Sequence, residues 1–189
     1  MEKVLTKEQG KSLLTLARET ISEKLSGDIQ AAIPEDPAFN TRSGTFVTLK
    51  ISGALRGCIG NLTPVGTVVE GVQRNAINAA FNDPRFSPLT AGELANVDID
   101  ISVLSQPYIL EYKDGEDLAA RLRPGVDGVI LTLGSGGATF LPQVWEQLPT
   151  PELFLGHLCR KAGLPETAWR DSHPKIEIYQ VQCFEEEKV

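Results

Sequence analysis

The sequence predicts an α+β fold, in which a mixed or antiparallel sheet is flanked by helices. Helical periodicity near the start, alternating strands after it, and an element order that never becomes strict βαβ repetition together indicate this class. Hydrophobic residues make up 41% of the chain and charged residues 23%, as in ordinary globular proteins. We expect one domain over residues 1–189, a length that also leaves room for two small subdomains.

The first half of the chain is predicted to begin with a helix and to continue into a strand pair. Thr6 and Gln9 have the spacing of a capping box, and Gly27 is placed to end the helix that follows. Asp83-Pro84 ends a later apolar stripe, because a residue before proline avoids the α region. The predicted elements are a helix over 7–26, strands over 45–51 and 55–59, and a helix over 64–81.

The second half is predicted to add a hairpin, two helices and further strands. Thr150 and Pro151 supply the N-cap and first turn of a helix, and the glycine-rich run 134–137 supplies a hairpin turn. The predicted elements are strands over 97–103, 126–133, 138–141 and 176–184, and helices over 114–122 and 150–162. A solvated tail is expected over 185–188, where three glutamates precede a lysine.

Charge and cysteine content exclude several classes of protein. A net charge of −7 and a pI near 4.9 argue against a nucleic-acid binder, which needs clustered Lys and Arg. The three cysteines form no CxxC pair, so neither a disulfide framework nor a zinc ribbon is indicated. No apolar stretch approaches the roughly 18 residues of a membrane span. We therefore expect a cytoplasmic protein with reduced thiols and no membrane or nucleic-acid partner.

The hexapeptide 55–60, Leu-Arg-Gly-Cys-Ile-Gly, is the segment with the clearest chemical potential. Glycines beside Cys58 allow close approach of a ligand or another backbone. In a regular strand Arg56 and Cys58 point to the same face, and a nearby cation favours a reactive thiolate. The alternative interpretation is a core strand whose small cysteine only packs.

The same hexapeptide resembles the signature of the AMMECR family, whose bacterial members are called AmmeMemoRadiSam system protein A. The resemblance extends over nearly the whole chain, from the first helix to Phe184. It is carried by the signature and by segments 44–49, 79–86, 97–104, 125–129, 141–144, 154–155 and 159–164. Of these, Ala79 to Phe86 is similar to a family segment of the form A-x-x-D-P-R-F.

The resemblance implies an α+β fold with two subdomains, a cleft near the signature, and work alongside a Memo-like protein and a radical-SAM protein. The candidate catalytic residues are Cys58, Arg56 and Asp83. The candidate substrate-binding residues are Gly57, Gly60, Arg85 and Gln143. Asp83 and Arg85 can hold a substrate carboxylate, or the first can cap a turn while the second forms an ordinary ion pair. Gln143 can face a cleft or tie down its own loop.

Neither a metal site nor a cofactor site is indicated by local spacing. HxxxH spacing is absent, and the run 134–137 lacks the lysine and helix of a phosphate loop. His157 is expected on the solvent side of its helix, and His173 has no local partner. The cofactor is left unassigned.

Three hypotheses follow for the signature. The first is an enzyme or enzyme subunit that acts on a small or peptidyl substrate, with Cys58 as nucleophile or radical-relay thiol. The second is a non-catalytic module that binds a partner protein or a peptide at the same place. The third is a mainly architectural strand crossing. The first is preferred, because Arg56 and Cys58 share one predicted face.

Overall fold

The computed structural model describes residues 5–27 and 30–186 and has the α+β architecture that the sequence predicts. The chain packs into two compact units: Met1–Ser105 with Gln182–Val189, and Gln106–Val181. Each unit has its own four-stranded sheet and its own hydrophobic core. Within the described residues no helix is both long and apolar enough to cross a membrane.

The first unit places two long helices against one face of its sheet. Its elements in chain order are α1 (Lys7–Ser26), a 3₁₀ turn (Pro37–Asn40), β1 (Thr45–Ile51), β2 (Ala54–Asn61), α2 (Val68–Phe81), α3 (Ala91–Leu94) and β3 (Val97–Leu104). The strand order of its sheet is β2-β1-β3, followed by the last strand of the chain. On β1, Val47 and Leu49 are fully buried, and they belong to one core with residues of α1 and α2.

Local signals determine where these helices begin. Thr6 accepts a hydrogen bond from the backbone of Gln9 and Gln9 reciprocates, so α1 starts at the predicted residue. Gly27 then ends α1 in the left-handed conformation, with φ of 72°. The second helix starts at Val68 instead of residue 64, because Thr67 and Glu70 form a second capping box there.

The second unit is built around the strand order β4-β7-β5-β6, with antiparallel pairing throughout. Its elements are β4 (Tyr108–Ile109), α4 (Gly115–Arg121), β5 (Gly128–Leu133), β6 (Gly136–Phe140), a 3₁₀ turn (Pro142–Glu146), α5 (Pro151–Lys161), α6 (Ala168–Asp171) and β7 (Lys175–Tyr179). The ring of Trp145 stacks on Phe154 at a centroid distance of 3.8 Å, at the centre of this core.

The predicted strand over 176–184 was wrong as a single element. The chain leaves β7 at Tyr179 and enters β8 (Val181–Glu185), which belongs to the sheet of the first unit. Ile176 and Ile178 pack in the core of the second unit, whereas Phe184 packs against the core of the first. The two halves of the segment therefore serve different cores.

The predicted solvated tail was also wrong where the structure describes it. Glu185 ends β8, and Glu186 is anchored. The Arg18 guanidinium donates to both carboxylate oxygens of Glu186, at 2.7 and 2.5 Å, and Ile99 donates its backbone N–H at 2.9 Å. The remaining tail residues, 187 and 188, lie outside the described residues.

Candidate functional site

The signature forms most of β2, which is the terminal strand of the sheet of the first unit. It pairs only with β1, in antiparallel register, with Thr48 opposite Cys58. Gly57 is buried on the helix side of the strand. A Cβ added to Gly57 would lie 2.2 Å from the carbonyl oxygen of Ala79 in α2, so only glycine allows the helix to approach this closely.

The second signature glycine is required on the opposite side of β2. A Cβ at Gly60 would meet the ring of Phe46 at 2.2 Å, because that ring packs directly over the glycine. Both Gly57 and Gly60 therefore have packing explanations, one from a helix backbone and one from an aromatic ring. Their predicted role in substrate binding stays a prediction.

Cys58 lies between the two glycines in sequence and is partly exposed. Thr48 donates its hydroxyl to Cys58 Sγ, with the oxygen 3.2 Å from the sulfur. Since Thr48 and Cys58 are directly opposite across two antiparallel strands, their side chains share one face of the sheet. The sequence analysis missed Thr48, because only the strand register reveals that it faces the thiol.

The free edge of β2 is held at Cys58 by the side chains of Asp83 and Arg85. Asp83 Oδ2 accepts the backbone N–H of Cys58 at 2.9 Å, and Arg85 Nη2 donates to the Cys58 carbonyl at 3.0 Å. Arg85 also grips the Asp83 carboxylate through Nε at 2.9 Å and Nη2 at 2.7 Å. The pair thus supplies one acceptor and one donor to the strand, as a neighbouring strand would.

Electrostatics in this pair favour the charged forms of both groups. The Asp83 side chain is 1% exposed, and its hydrogen bonds with the Arg85 guanidinium hold the pKa of the carboxyl well below its usual range. The same hydrogen bond raises the pKa of Arg85 against the opposing effect of burial. The Cys58 side chain adds a smaller contribution in the same direction. The guanidinium that contacts Cys58 is therefore that of Arg85, through the backbone carbonyl.

Arg56 has a different partner from the one that strand alternation predicts. Its guanidinium donates to Glu93 through Nε at 2.9 Å and Nη2 at 3.2 Å, and its side chain is only 13% exposed. A register shift between Leu49 and Lys50 lies opposite this part of β2. The irregularity interrupts the regular alternation that the sequence argument assumed.

Phe86 links the two arginines of the site. The guanidinium carbon of Arg85 lies 5.5 Å from the centroid of the Phe86 ring, and that of Arg56 lies 5.9 Å from it. Both distances are within the range of a cation–π contact. The ring therefore helps to fix the direction of each guanidinium beside β2.

The remaining sequence candidates lie in the second unit. Gln143 is exposed within the 3₁₀ turn that follows β6. His157 is half-buried and lies 2.6 Å from Arg160 Nη2, while the ring of His173 stacks on Tyr112 at a centroid distance of 4.3 Å. All three belong to a different unit from Cys58.

Two further features of the described residues bear on chemistry. Over residues 5–27 and 30–186, no three His, Cys, Asp or Glu side chains are grouped so as to hold a metal ion. A groove of about 1120 Å³ lies in the first unit, with Lys11 and Arg18 of α1 and Phe184 of β8 among its lining residues. No signature residue lines this groove, so its size does not identify it with the site at Cys58.

Glu93 makes the site sensitive to acid. The Arg56 guanidinium, followed by the backbone N–H of Thr90, lowers the pKa of Glu93 to about 2. A carboxylate whose pKa is lower when folded contributes stability above its unfolded value of roughly 4.3, and this contribution disappears as the pH falls towards the folded value. We expect Glu93→Gln to reduce the loss of stability between pH 6 and pH 3, measured by urea unfolding at each pH.

The matched control for Glu93 is Glu116→Gln in α4, since the exposed Glu116 side chain has no hydrogen bond within the part of the chain described. It should leave the wild-type pH dependence intact. An equal loss of stability between pH 6 and pH 3 in Glu93→Gln and wild type would show that the Arg56 pair has no such role.

Comparison with known proteins places this geometry in a family. The AMMECR1 family model matches residues 14–184, which include the whole signature and the Asp83–Arg85 segment. The chain belongs to the AMMECR1 family. A relative from Methanothermobacter thermautotrophicus is 38% identical over 97% of both chains. One from Thermofilum pendens is 37% identical over 96% of this chain and 92% of its own length.

A solved structure supports the fold of this AMMECR1 chain. The crystal structure of the uncharacterized protein PH0010 from Pyrococcus horikoshii is similar to it with a TM-score of 0.80 and 36% identity. The match covers 97% of this chain and 94% of the other. This chain and the Pyrococcus horikoshii protein therefore share the fold over nearly their full lengths.

Proposed function

We propose that this AMMECR1-family protein is an enzyme, or a subunit of one, that acts on a small or peptidyl substrate through the thiol of Cys58. The observation that carries the proposal is the contrast within β2. Gly57 and Gly60 are explained by packing, and the Nε and Nη2 of Arg56 by the ion pair with Glu93, whereas Cys58 is partly exposed and its thiol accepts from Thr48. The thiol is also the one nucleophilic side-chain group of the signature.

The surroundings of the thiol suit a nucleophile. A cysteine reacts as its thiolate, which is stabilised by hydrogen-bond donors and nearby cations. Thr48 donates to the sulfur, and the Arg85 guanidinium lies at the same residue, donating to its backbone carbonyl. Asp83 is less suited to be a general base, because its oxygens already accept from Cys58 and Arg85. In this proposal Asp83 positions the strand and Arg85, and a proton acceptor comes from the substrate, from solvent or from a partner.

The partner proteins in this proposal are a Memo-like protein and a radical-SAM protein. A second candidate function is a non-catalytic module that docks one of them. Leu55 favours it, since this signature side chain is apolar and 45% exposed at the terminal strand of the sheet. Co-purification of either partner that survives Cys58→Ala but is lost on Leu55→Asp would support the binding module over the enzyme.

The reactivity of Cys58 towards a neutral alkylating agent tests the enzyme proposal. In a Cys183→Ser background, which removes the exposed cysteine, Cys58 is expected to react with iodoacetamide at pH 7.5 faster than the same residue in urea-unfolded protein. Rates are read by mass spectrometry of the peptide that contains Cys58. Thr48→Val is expected to slow the reaction severalfold and Thr48→Ser to restore it, because serine retains the donor.

The result that would overturn the proposal is a Cys58 that reacts more slowly when folded than when unfolded and is indifferent to Thr48→Val. Thermal unfolding of each Thr48 variant serves as the control for damage to the sheet. An unchanged melting temperature with a slower reaction would assign the effect to the hydroxyl.

A further inference from the structure

Arg85 has hydrogen-bonding capacity that the fold does not use. Its Nε and Nη2 are committed to Asp83 and to the carbonyl of Cys58. Its Nη1 has no hydrogen-bond partner among residues 5–27 and 30–186, and the side chain is 53% exposed. A guanidinium carries five N–H donors, so the two on Nη1 are available to a ligand.

The orientation of this unused edge is fixed. Asp83, which is 1% exposed, grips the opposite side of the guanidinium, and the Phe86 ring lies 5.5 Å from the guanidinium carbon. A cation held in one orientation loses less entropy when it binds an anion than a mobile surface arginine does. Arg85 is therefore a preorganised donor beside the Cys58 thiol.

From this geometry we infer that the Nη1 edge of Arg85 binds an anionic group of the substrate, a carboxylate in the simplest case. The inference rests on the proposed function and adds the substrate class: a small carboxylate-bearing molecule with an electrophilic carbon within reach of Cys58. Asp100 lies opposite Thr48 on β3 and is paired with Lys50. The Asp100 carboxylate is thus already neutralised by Lys50, whereas the Arg85 side of the site offers an anionic group donors that have no partner among the described residues.

The second unit contains a matched control for the proposed role of Arg85. Arg123 grips Asp127 through Nε at 3.1 Å and Nη2 at 2.7 Å, with the same side-chain exposures of 53% and 1%. The side chains of Arg123 and Asp127 bond to each other within one loop and have no hydrogen bond with a cysteine in the described part of the chain, whereas Arg85 donates to the carbonyl of Cys58 itself. A buried aspartate that accepts from Nε and Nη2 of an arginine, called here a buried fork, therefore does not define a substrate site by itself. Arg85 differs from Arg123 because a cysteine lies beside it.

Iodoacetate and iodoacetamide are a probe pair that differs only in charge. In each reaction the Cys58 sulfur bonds to the methylene carbon, the carbon–iodine bond breaks, iodide leaves and the thiol proton passes to buffer. We take the iodoacetate rate divided by the iodoacetamide rate at Cys58 in the folded Cys183→Ser protein, and divide this ratio by the same ratio in urea. The quotient isolates the contribution of the folded surroundings. We expect a quotient of about 3 or more, which is the effect of one favourable ion pair near the surface.

Three comparisons make the test specific. Arg85→Gln should abolish the preference for iodoacetate, whereas Arg123→Gln should preserve it. In the Arg85-intact protein, 1 M sodium chloride should reduce the preference, because exposed ion pairs are screened by salt. The salt comparison does not depend on Arg85→Gln folding correctly.

The outcomes separate the two proposals. If the folded Cys58 is slow with both reagents, the thiol-enzyme proposal fails. If it reacts rapidly with iodoacetamide but shows no salt-sensitive preference for iodoacetate, the thiol proposal stands and the anionic substrate class is wrong.

Discussion

Asp83→Asn is expected to destabilise the first unit by about 2–3 kcal/mol. This is the usual cost of losing a buried charged hydrogen-bond acceptor when its cationic partner keeps access to water. The substituted amide places an N–H donor where Cys58 N–H and Arg85 already donate. Hydrogen exchange of the Cys58 amide reports the change directly. The expected result is faster exchange across β2, with Cys58 showing the largest increase.

Asp127→Asn is the matched variant for Asp83→Asn, because the second unit repeats the buried fork. The only two tryptophans in the chain, Trp145 and Trp169, lie in the core of that unit. Asp127→Asn should therefore shift the fluorescence-detected unfolding transition and leave the β2 amides protected. Asp83 and Arg85 together form a side-chain clamp on the edge of β2 at Cys58. If Asp83→Asn leaves hydrogen exchange in β2 unchanged, this clamp contributes nothing to stability.

Gly57→Ala is expected to have the second large effect, a loss of about 3 kcal/mol, which is the upper part of the usual range for overpacking. The added Cβ would lie 2.2 Å from the Ala79 carbonyl oxygen, a backbone atom that cannot rotate away. Either α2 or β2 must move, and the movement displaces the neighbouring Cys58. Calorimetry measures the stability, and iodoacetamide reactivity at Cys58 measures the displacement.

Gly92→Ala in α3 is the control for Gly57→Ala. A Cβ at Gly92 meets no atom within 4 Å, and alanine favours a helix over glycine. We expect unchanged or slightly increased stability in Gly92→Ala. Equal stability of Gly57→Ala and wild type would mean that the helix and strand adjust to each other and that the signature glycine is not required by packing.

The elements that were predictable are those with local causes. The first helix begins and ends at the predicted residues because Thr6, Gln9 and Gly27 act within a few positions of each other. The second helix has an equally local capping box, Thr67 with Glu70, which starts it at Val68. The predicted start at residue 64 followed the apolar stripe instead and was wrong. The strand over 176–184 failed for another reason. The apolar positions change phase there, from Ile176 and Ile178 to Val181 and Cys183, but no turn residue interrupts the segment, so it reads as one strand although its two halves join different sheets.

The candidate site divides in the same way. Cys58 could be chosen as a candidate from its neighbours in sequence, and Asp83 and Arg85 from the family segment, and their roles stay predictions. Their contact joins positions 25 and 27 residues apart, so its geometry depends on the packing of α2 against the sheet. Thr48 required the exact register of β1 and β2, and the partner of Arg56 required the position of α3. No sequence pattern encodes those distances.

The clamp at Cys58 also affects whether β2 can pair with a strand of another molecule. A terminal strand presents unpaired N–H and C=O groups to which another chain can add, and folded proteins cover such groups to prevent aggregation. Asp83 and Arg85 cover them at the centre of β2, immediately beside the Cys58 thiol. The Cys58 thiol therefore lies where intermolecular strand pairing is blocked, so variants that remove either side chain should be monitored for oligomers by light scattering as well as for thiol reactivity.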